Sequence, residues 1–196
     1  MRMTATVLAG AVLFAGGLTA CSSGDAAKPS PTSTPVTSVA GTAVAEPAAG
    51  GEQPKAITYD AKRVPVGAQL ATSAKIENGK TAVTLTVSGL LPNTQYGSHV
   101  HTKPCGAKPA DSGPHYQNEK DPVSPSVDSK YANRDNEIWL DFTTDDKGAA
   151  TSSATVAWEF RKGEANAVVV HATATHTEHG KAGTAGDRLA CLTNAY

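Results

Sequence analysis

The segment AQLATSAKIENGKTAVTLTVS, residues 68–88, decides the fold class. Two runs, 68–77 and 80–88, flank Asn78-Gly79, and Asn-Gly between alternating segments is the strongest short-range signal for a two-residue hairpin. In the second run Val83, Leu85 and Val87 fall on one face and Thr84 and Thr86 on the other, the two-residue period of a strand. The same reading extends outward. Residues 95–102 read as a strand. Residues 137–144 (EIWLDFTT) and 149–160 flank Asp146-Lys147-Gly148 and read as a second hairpin. Residues 167–172 (AVVVHA) form an apolar run of buried-strand type, and 188–194 a last short strand. No stretch carries a helical period. Seven or eight short strands separated by turn signals predict an all-β domain, an antiparallel sandwich or barrel. Residues 103–136 are polar and rich in Pro and Gly, and a long loop of this kind in a compact domain is usually functional.

Composition narrows the partners. The chain has 196 residues with 18 Gly and 12 Pro, enough for one domain and some spare length. Its 17 Lys+Arg against 18 Asp+Glu give a net charge of −1, with no basic face to hold a nucleic-acid backbone. Beyond the N-terminus no apolar run approaches the ~20 residues that span a bilayer, which excludes a multi-pass membrane protein. Residues 1–20 combine Arg2, an uncharged apolar run and small residues, the pattern of an export signal. Leu18-Thr19-Ala20-Cys21 resembles a bacterial lipobox, which would make Cys21 the lipidated first residue of the mature chain; the plain alternative is an ordinary signal with Cys21 incidental. Acyl chains on Cys21 would hold the protein to the outer face of the cytoplasmic membrane, in the cell envelope. Residues 21–54 are Ser-, Thr-, Pro-, Ala- and Gly-rich and are expected to form a disordered tether, leaving 55–196 as the folded domain.

The chain has six histidines: His99, His101, His115, His171, His176 and His179. His99-Val100-His101 places two imidazoles on one face of a strand, which suits two ligands of one metal. His115 lies in the long loop, and His171 ends the apolar run AVVVH, a costly place for a polar ring without a partner. Four neutral imidazoles suit copper, and nitrogen-rich ligation also suits zinc; incidental histidines are the competing explanation. Cys105 and Cys191 are the remaining thiols, and an even pair in an exported protein reads as a disulfide.

Four segments then occur in order: Tyr96-Gly97-Ser98-His99-Val100-His101, Gly113-Pro114-His115-Tyr116, Val168-Val169-Val170-His171 and Gly186-Asp187-Arg188-Leu189-Ala190-Cys191. Together they resemble the copper/zinc superoxide dismutase family over roughly residues 56–196. The resemblance implies an eight-stranded antiparallel Greek-key barrel with long functional loops. It implies copper bound by His99, His101, His115 and His171, with His115 at the place of the imidazolate that bridges to zinc. It also implies a Cys105–Cys191 disulfide and an active-site arginine at Arg188. The zinc site is another matter. Residues 117–135 contain no histidine, Arg134 stands near the place of one zinc ligand, and Glu137 and Asp135 are the nearest carboxylates. Two missing histidines leave no closed four-ligand zinc site, so zinc is not expected. The loop before Arg188 is short, and Ser98 stands where the family commonly has an aromatic residue. These departures resemble the copper-only members.

The implied activity is dismutation of superoxide to O₂ and H₂O₂, with one copper per chain and His115 releasing the metal and taking a proton in the cycle. Without zinc, Glu137 is the first candidate and Asp135 the second for the carboxylate that orients His115. Arg188 would guide the anion. His176 and His179 match no family ligand and read as exposed loop histidines or an auxiliary copper-capture pair. The competing functions are a non-catalytic copper-binding or storage lipoprotein and a structural surface domain on the same fold. The sequence carries no signal of oligomeric state.

Overall fold

The computed structural model describes residues 36–196; the expected export signal and Cys21 lie outside the described residues. Nine strands form two antiparallel sheets. The first, in spatial order, contains β1 (Val36–Ala43), β3 (Gln69–Glu77), β4 (Lys80–Ser88) and β7 (Ala150–Val156). The second contains β2 (Ala56–Thr58), β9 (Arg188–Thr193), β8 (Ala167–His171), β5 (Gln95–His101) and β6 (Phe142–Thr143). One 3₁₀ turn, Pro109–Ser112, interrupts the loop after β5. Pairing of β7 with β4 and of β8 with β5, across intervening strands, gives the Greek-key crossovers. The two sheets stack as a sandwich with nine strands rather than eight. Among the described residues no helix is long and apolar enough to cross a membrane.

The β3–β4 hairpin turns at Asn78 and Gly79 with φ of 53° and 75°. Positive φ at both central positions makes the tight turn whose twist matches its flanking strands. Leu70 and Ala74 of β3 and Val83, Leu85 and Val87 of β4 point inward. They meet Val100, Ile138, Leu140, Val168, Val170 and Leu192 in one core between the sheets. The four larger of these, Leu70, Val83, Leu85 and Val87, are each worth about 1.5–3 kcal/mol when fully buried, which makes this layer a main source of stability.

Three expectations change. The tether does not run to residue 54: β1 lies within it, paired to β3 from Val36↔Lys75 to Ala43↔Gln69. Val44 is buried, and Ala45 bridges Ile57. β1 adds to the edge of the sheet along β3. The second expected hairpin is not one. Asp145 and Ala149 do close a tight turn, with the Asp145 N–H donating to Ala149 O, but β6 and β7 belong to different sheets. Finally, residues 137–144 form regular ladder only at Phe142–Thr143. Upstream, Glu137 and Trp139 make single bridges to Gln117 and His99.

The second sheet is covered on both sides, which explains the continuous burial of AVVVH. Val168 and Val170 face the core, while Ala167 and Val169 join Ile57 and the two cysteines in a smaller cluster beneath the loops. Residues paired across antiparallel strands share a face. His99↔Val169, Val169↔Cys191 and Ile57↔Cys191 are therefore one row on that outer side.

Candidate metal centre

His99 and His101 rise from the outer side of β5, and His171 from the end of β8, where it pairs with Gly97. Gly97 lets the segment after β8 lie against the sheet: a Cβ there would sit 2.5 Å from Thr173 O and 2.7 Å from Ala185 Cβ. His115 comes from the loop after β5, which folds back so that the Tyr116 N–H donates to Val100 O and His115 bridges His101. The Cys105–Cys191 disulfide ties that loop to β9, with 5.7 Å between the Cα atoms. The Cys105 N–H also donates to Thr193 Oγ1, and the Tyr59 hydroxyl donates to Gly106 O.

These four histidines each bring one ring nitrogen to within 4.8 Å of all the others. Among the described residues they are the one group of three or more His, Cys, Asp or Glu side chains placed to hold a metal ion. His101 and His171 each direct Nδ1 at a carbonyl, Gly113 O at 2.9 Å and Gly186 O at 3.4 Å. A carbonyl only accepts, so these Nδ1 atoms carry the protons and the two Nε2 atoms carry lone pairs. Those Nε2 atoms face each other at 3.3 Å, a contact that favours a cation between them. His99 Nδ1 is buried with no hydrogen-bond partner, and its Nε2 lies 2.7 Å from Thr175 Oγ1. An orphaned ring nitrogen aimed into a ring of lone pairs fits a metal ion.

Burial pushes His99 and His101 well below the usual histidine range, and repulsion from the neighbouring imidazoles pushes the same way. Burial, followed by His115, lowers His171 to about 3. These three rings stay neutral at physiological pH, the form a metal requires.

Glu137 is 1% exposed, and its Oε2 accepts His115 Nδ1–H at 2.9 Å and Trp139 Nε1–H at 2.7 Å. Its Oε1 accepts from Gln117 Nε2 at 2.8 Å. With Nδ1 the donor, His115 turns Nε2 toward the other rings. Asp135, the second candidate, is exposed and makes no such contact. Asn133 Oδ1 accepts the N–H groups of Asp135 and Asn136, a local turn that directs the Asp135 carboxylate to solvent. His176 pairs with Glu178 at 3.2 Å and His179 is exposed, both outside the cluster.

Alternation along EIWLDFTT sends Ile138, Leu140 and Phe142 to the core and leaves Glu137, Trp139 and Asp141 on the site side. Sequence reading missed Trp139 and Asp141, although a period of two counted from Glu137 marks both. Gln117 and Thr175 had no such signal.

A cavity of about 700 Å³ opens beside the cluster, lined by His115, His171 and Arg188 among others. Arg188 Nη1 donates to Pro109 O at 2.9 Å and to Ser112 Oγ at 3.0 Å. Among the described residues no carboxylate lies within ion-pair distance of its guanidinium.

The family model for copper/zinc superoxide dismutase matches residues 67–193. The chain belongs to the copper/zinc superoxide dismutase family. That match spans every histidine of the cluster, both cysteines of the disulfide and Arg188. No curated protein sequence matches the chain. Two solved structures similar to this family member are the clock protein EA4 and a double mutant of a SOD-like protein from Bacillus subtilis. The first has 20% identity and a TM-score of 0.48, covering 65% of this chain and 87% of its own. The second has 16% identity and a TM-score of 0.46, covering 66% and 90%.

Proposed function

We propose that this chain is an exported, lipid-anchored superoxide dismutase that uses one copper ion per chain and no zinc. The convergence of four imidazoles, with His99 Nδ1 buried and unpartnered, carries the reading. Copper is favoured over zinc because an all-imidazole set binds Cu(II) more tightly than its divalent neighbours. Bound there, copper would supply one-electron chemistry that converts two superoxide anions and two protons into O₂ and H₂O₂.

The chain's own residues support each other part of that reaction. His99, His101 and His171 stand on strands and are 0–3% exposed, so their positions are rigid. His115, with a side chain 19% exposed beside the cavity, is the ring best placed to hold a proton at Nε2. Glu137 keeps that ring oriented through Nδ1. The carboxylate is already engaged by three donors, His115, Gln117 and Trp139, which disfavours its use as a ligand for a second metal. Arg188 offers an uncompensated cation at the cavity, which raises the local concentration of a small anion. A copper-storage protein gains nothing from that charge.

Anchoring rests on Leu18-Thr19-Ala20-Cys21. The deciding experiment loads the purified protein with both metals, counts them by elemental analysis and measures dismutation. One copper, no zinc and rapid dismutation are expected. One zinc bound outside the histidine cluster rejects the copper-only reading, and copper without turnover favours storage. Cys21→Ser should release the protein from membranes; continued membrane fractionation rejects lipidation.

A further inference from the structure

His99 Nε2 does not meet a carbonyl or a carboxylate, as the outer nitrogens of the other three rings do. It meets Thr175 Oγ1 at 2.7 Å, a hydroxyl that can donate or accept. What settles the direction is the next link. Thr175 Oγ1 lies 2.7 Å from Asp141 Oδ1, and an ionised carboxylate only accepts. Asp141 is held in place by other donors: the Ser98 N–H reaches Oδ1 at 3.1 Å, the Thr175 N–H reaches Oδ2 at 3.0 Å, and Arg134 Nη2 stands 3.9 Å from Oδ2. The single hydroxyl proton of Thr175 therefore goes to Asp141, and Oγ1 accepts from His99 Nε2–H. A proton on Nε2 leaves a lone pair on Nδ1, the buried nitrogen that no protein group satisfies. The opposite tautomer is worse on both sides. It would bury an Nδ1–H with no acceptor and draw the Thr175 hydroxyl away from Asp141.

We infer that Thr175 and Asp141 are positioning residues for the metal centre, a two-step relay that locks His99 in the tautomer presenting Nδ1 to the ion. The inference rests on the proposed metal-binding function, but the tautomer itself is a property of the metal-free chain. The relay also joins separate parts of the fold. Thr175 belongs to the segment after β8, Asp141 to the segment carrying Glu137, and His99 to β5. Two carboxylates on one face of EIWLDFTT thus fix two of the four rings, Glu137 directly and Asp141 through a hydroxyl.

The test has two readouts. In the metal-free protein labelled with ¹⁵N-histidine, ring-nitrogen shifts and couplings should show His99 protonated at Nε2. Finding it protonated at Nδ1 overturns the relay without any variant. In copper competition titrations Thr175→Val, which keeps the shape and removes the hydroxyl, should weaken binding about 10–100-fold and give a mixture of His99 tautomers. Thr175→Ser should restore both. Wild-type affinity and an unmixed tautomer in Thr175→Val overturn the proposal, as does a Thr175→Ser protein that behaves like the Val variant while remaining folded. If wild-type protein binds no copper, the metal-binding reading fails, and the tautomer measurement still decides the relay.

Discussion

Replacing Glu137 by Gln changes one buried oxygen into an NH₂ group and tests the carboxylate with almost no change in shape. Of the three donors it satisfies, two share Oε2 and one, Gln117 Nε2, uses Oε1. The new amide can keep its oxygen toward His115 and Trp139, but its NH₂ then faces the Gln117 NH₂. Gln117 cannot turn over without loss. Its Nε2 also donates to Ser126 Oγ at 3.0 Å, and its Oε1 accepts the Asp121 N–H at 2.9 Å. The variant therefore strands one buried donor, at a cost of about 1–3 kcal/mol. The two remaining bonds lose the assistance of the charge, which roughly halves them. For a domain of this size each kcal/mol moves the melting temperature by about 2–4 °C, so a fall of about 3–10 °C is expected in the metal-free protein. With His115 more weakly oriented, copper affinity should fall at least about ten-fold. Differential scanning calorimetry and chelator competition measure the two effects. Unchanged values of both refute the reasoning. A lower melting temperature with unchanged copper affinity reduces Glu137 to a structural anchor and removes its role in orienting His115.

Three other outcomes are expected. Arg188→Gln should lower dismutation about ten-fold and flatten its dependence on ionic strength while copper content stays constant, because the lost charge faces the cavity; full activity at low salt removes the anion-guiding role. Cys105→Ser opens a bridge between residues 86 apart, should cost about 2–5 kcal/mol in denaturant unfolding, and should weaken copper through the loop carrying His115; unchanged stability contradicts the staple. The metal-free protein should lose stability as pH falls from about 6.5 toward 3, since His171 titrates near 3 when folded but near the ordinary value when unfolded, so the unfolded chain binds the proton first. An acid titration that is flat over this interval refutes the burial argument.

The parts of this molecule that sequence exposes are those where local chemistry and tertiary environment agree. Asn78-Gly79 requires its turn whatever surrounds it, and alternation in β4 marks Val83, Leu85 and Val87 as inward because one side of that sheet is wet. The copper-ligand candidates are legible for a related reason: His99 and His101 share a face by the period of β5, and a histidine ending AVVVH is anomalous in an apolar run. β1 was hidden because Val36, Thr37, Val39 and Thr42 sit in a Ser-, Thr-, Pro- and Ala-rich stretch, and nothing in residues 36–43 records that β3 offers them an edge to pair with. Turn chemistry at Asp145 announces a reversal but not that the following strand joins the other sheet. The supporting shell was hidden more deeply. Thr175 acts on a ring 76 residues away and reaches a carboxylate 34 residues away, and such pairings exist only after folding.

The two sides of β5 also bear on how the site can work. Val100 lies in the main core between His99 and His101, so any shift that would move either ring must first disturb close packing between the sheets. The same holds at β8, where His171 follows Val170. Three ring positions are thus tied to the most stable part of the domain. His115 is tied to a loop instead, held by the disulfide at one end, by Arg188 through Pro109 and Ser112, and by Glu137 at the ring itself. None of these contacts forbids a small displacement of its Nε2, because the ring pivots about the Nδ1–Glu137 bond and its exposed edge meets the cavity. If the four rings hold a metal as proposed, three fixed imidazoles would keep it in place while His115 is the one ring free to shift. The chain places the adjustable ring on the same cavity as Arg188, so in the proposed reaction an anion drawn to Arg188 would arrive beside that ring.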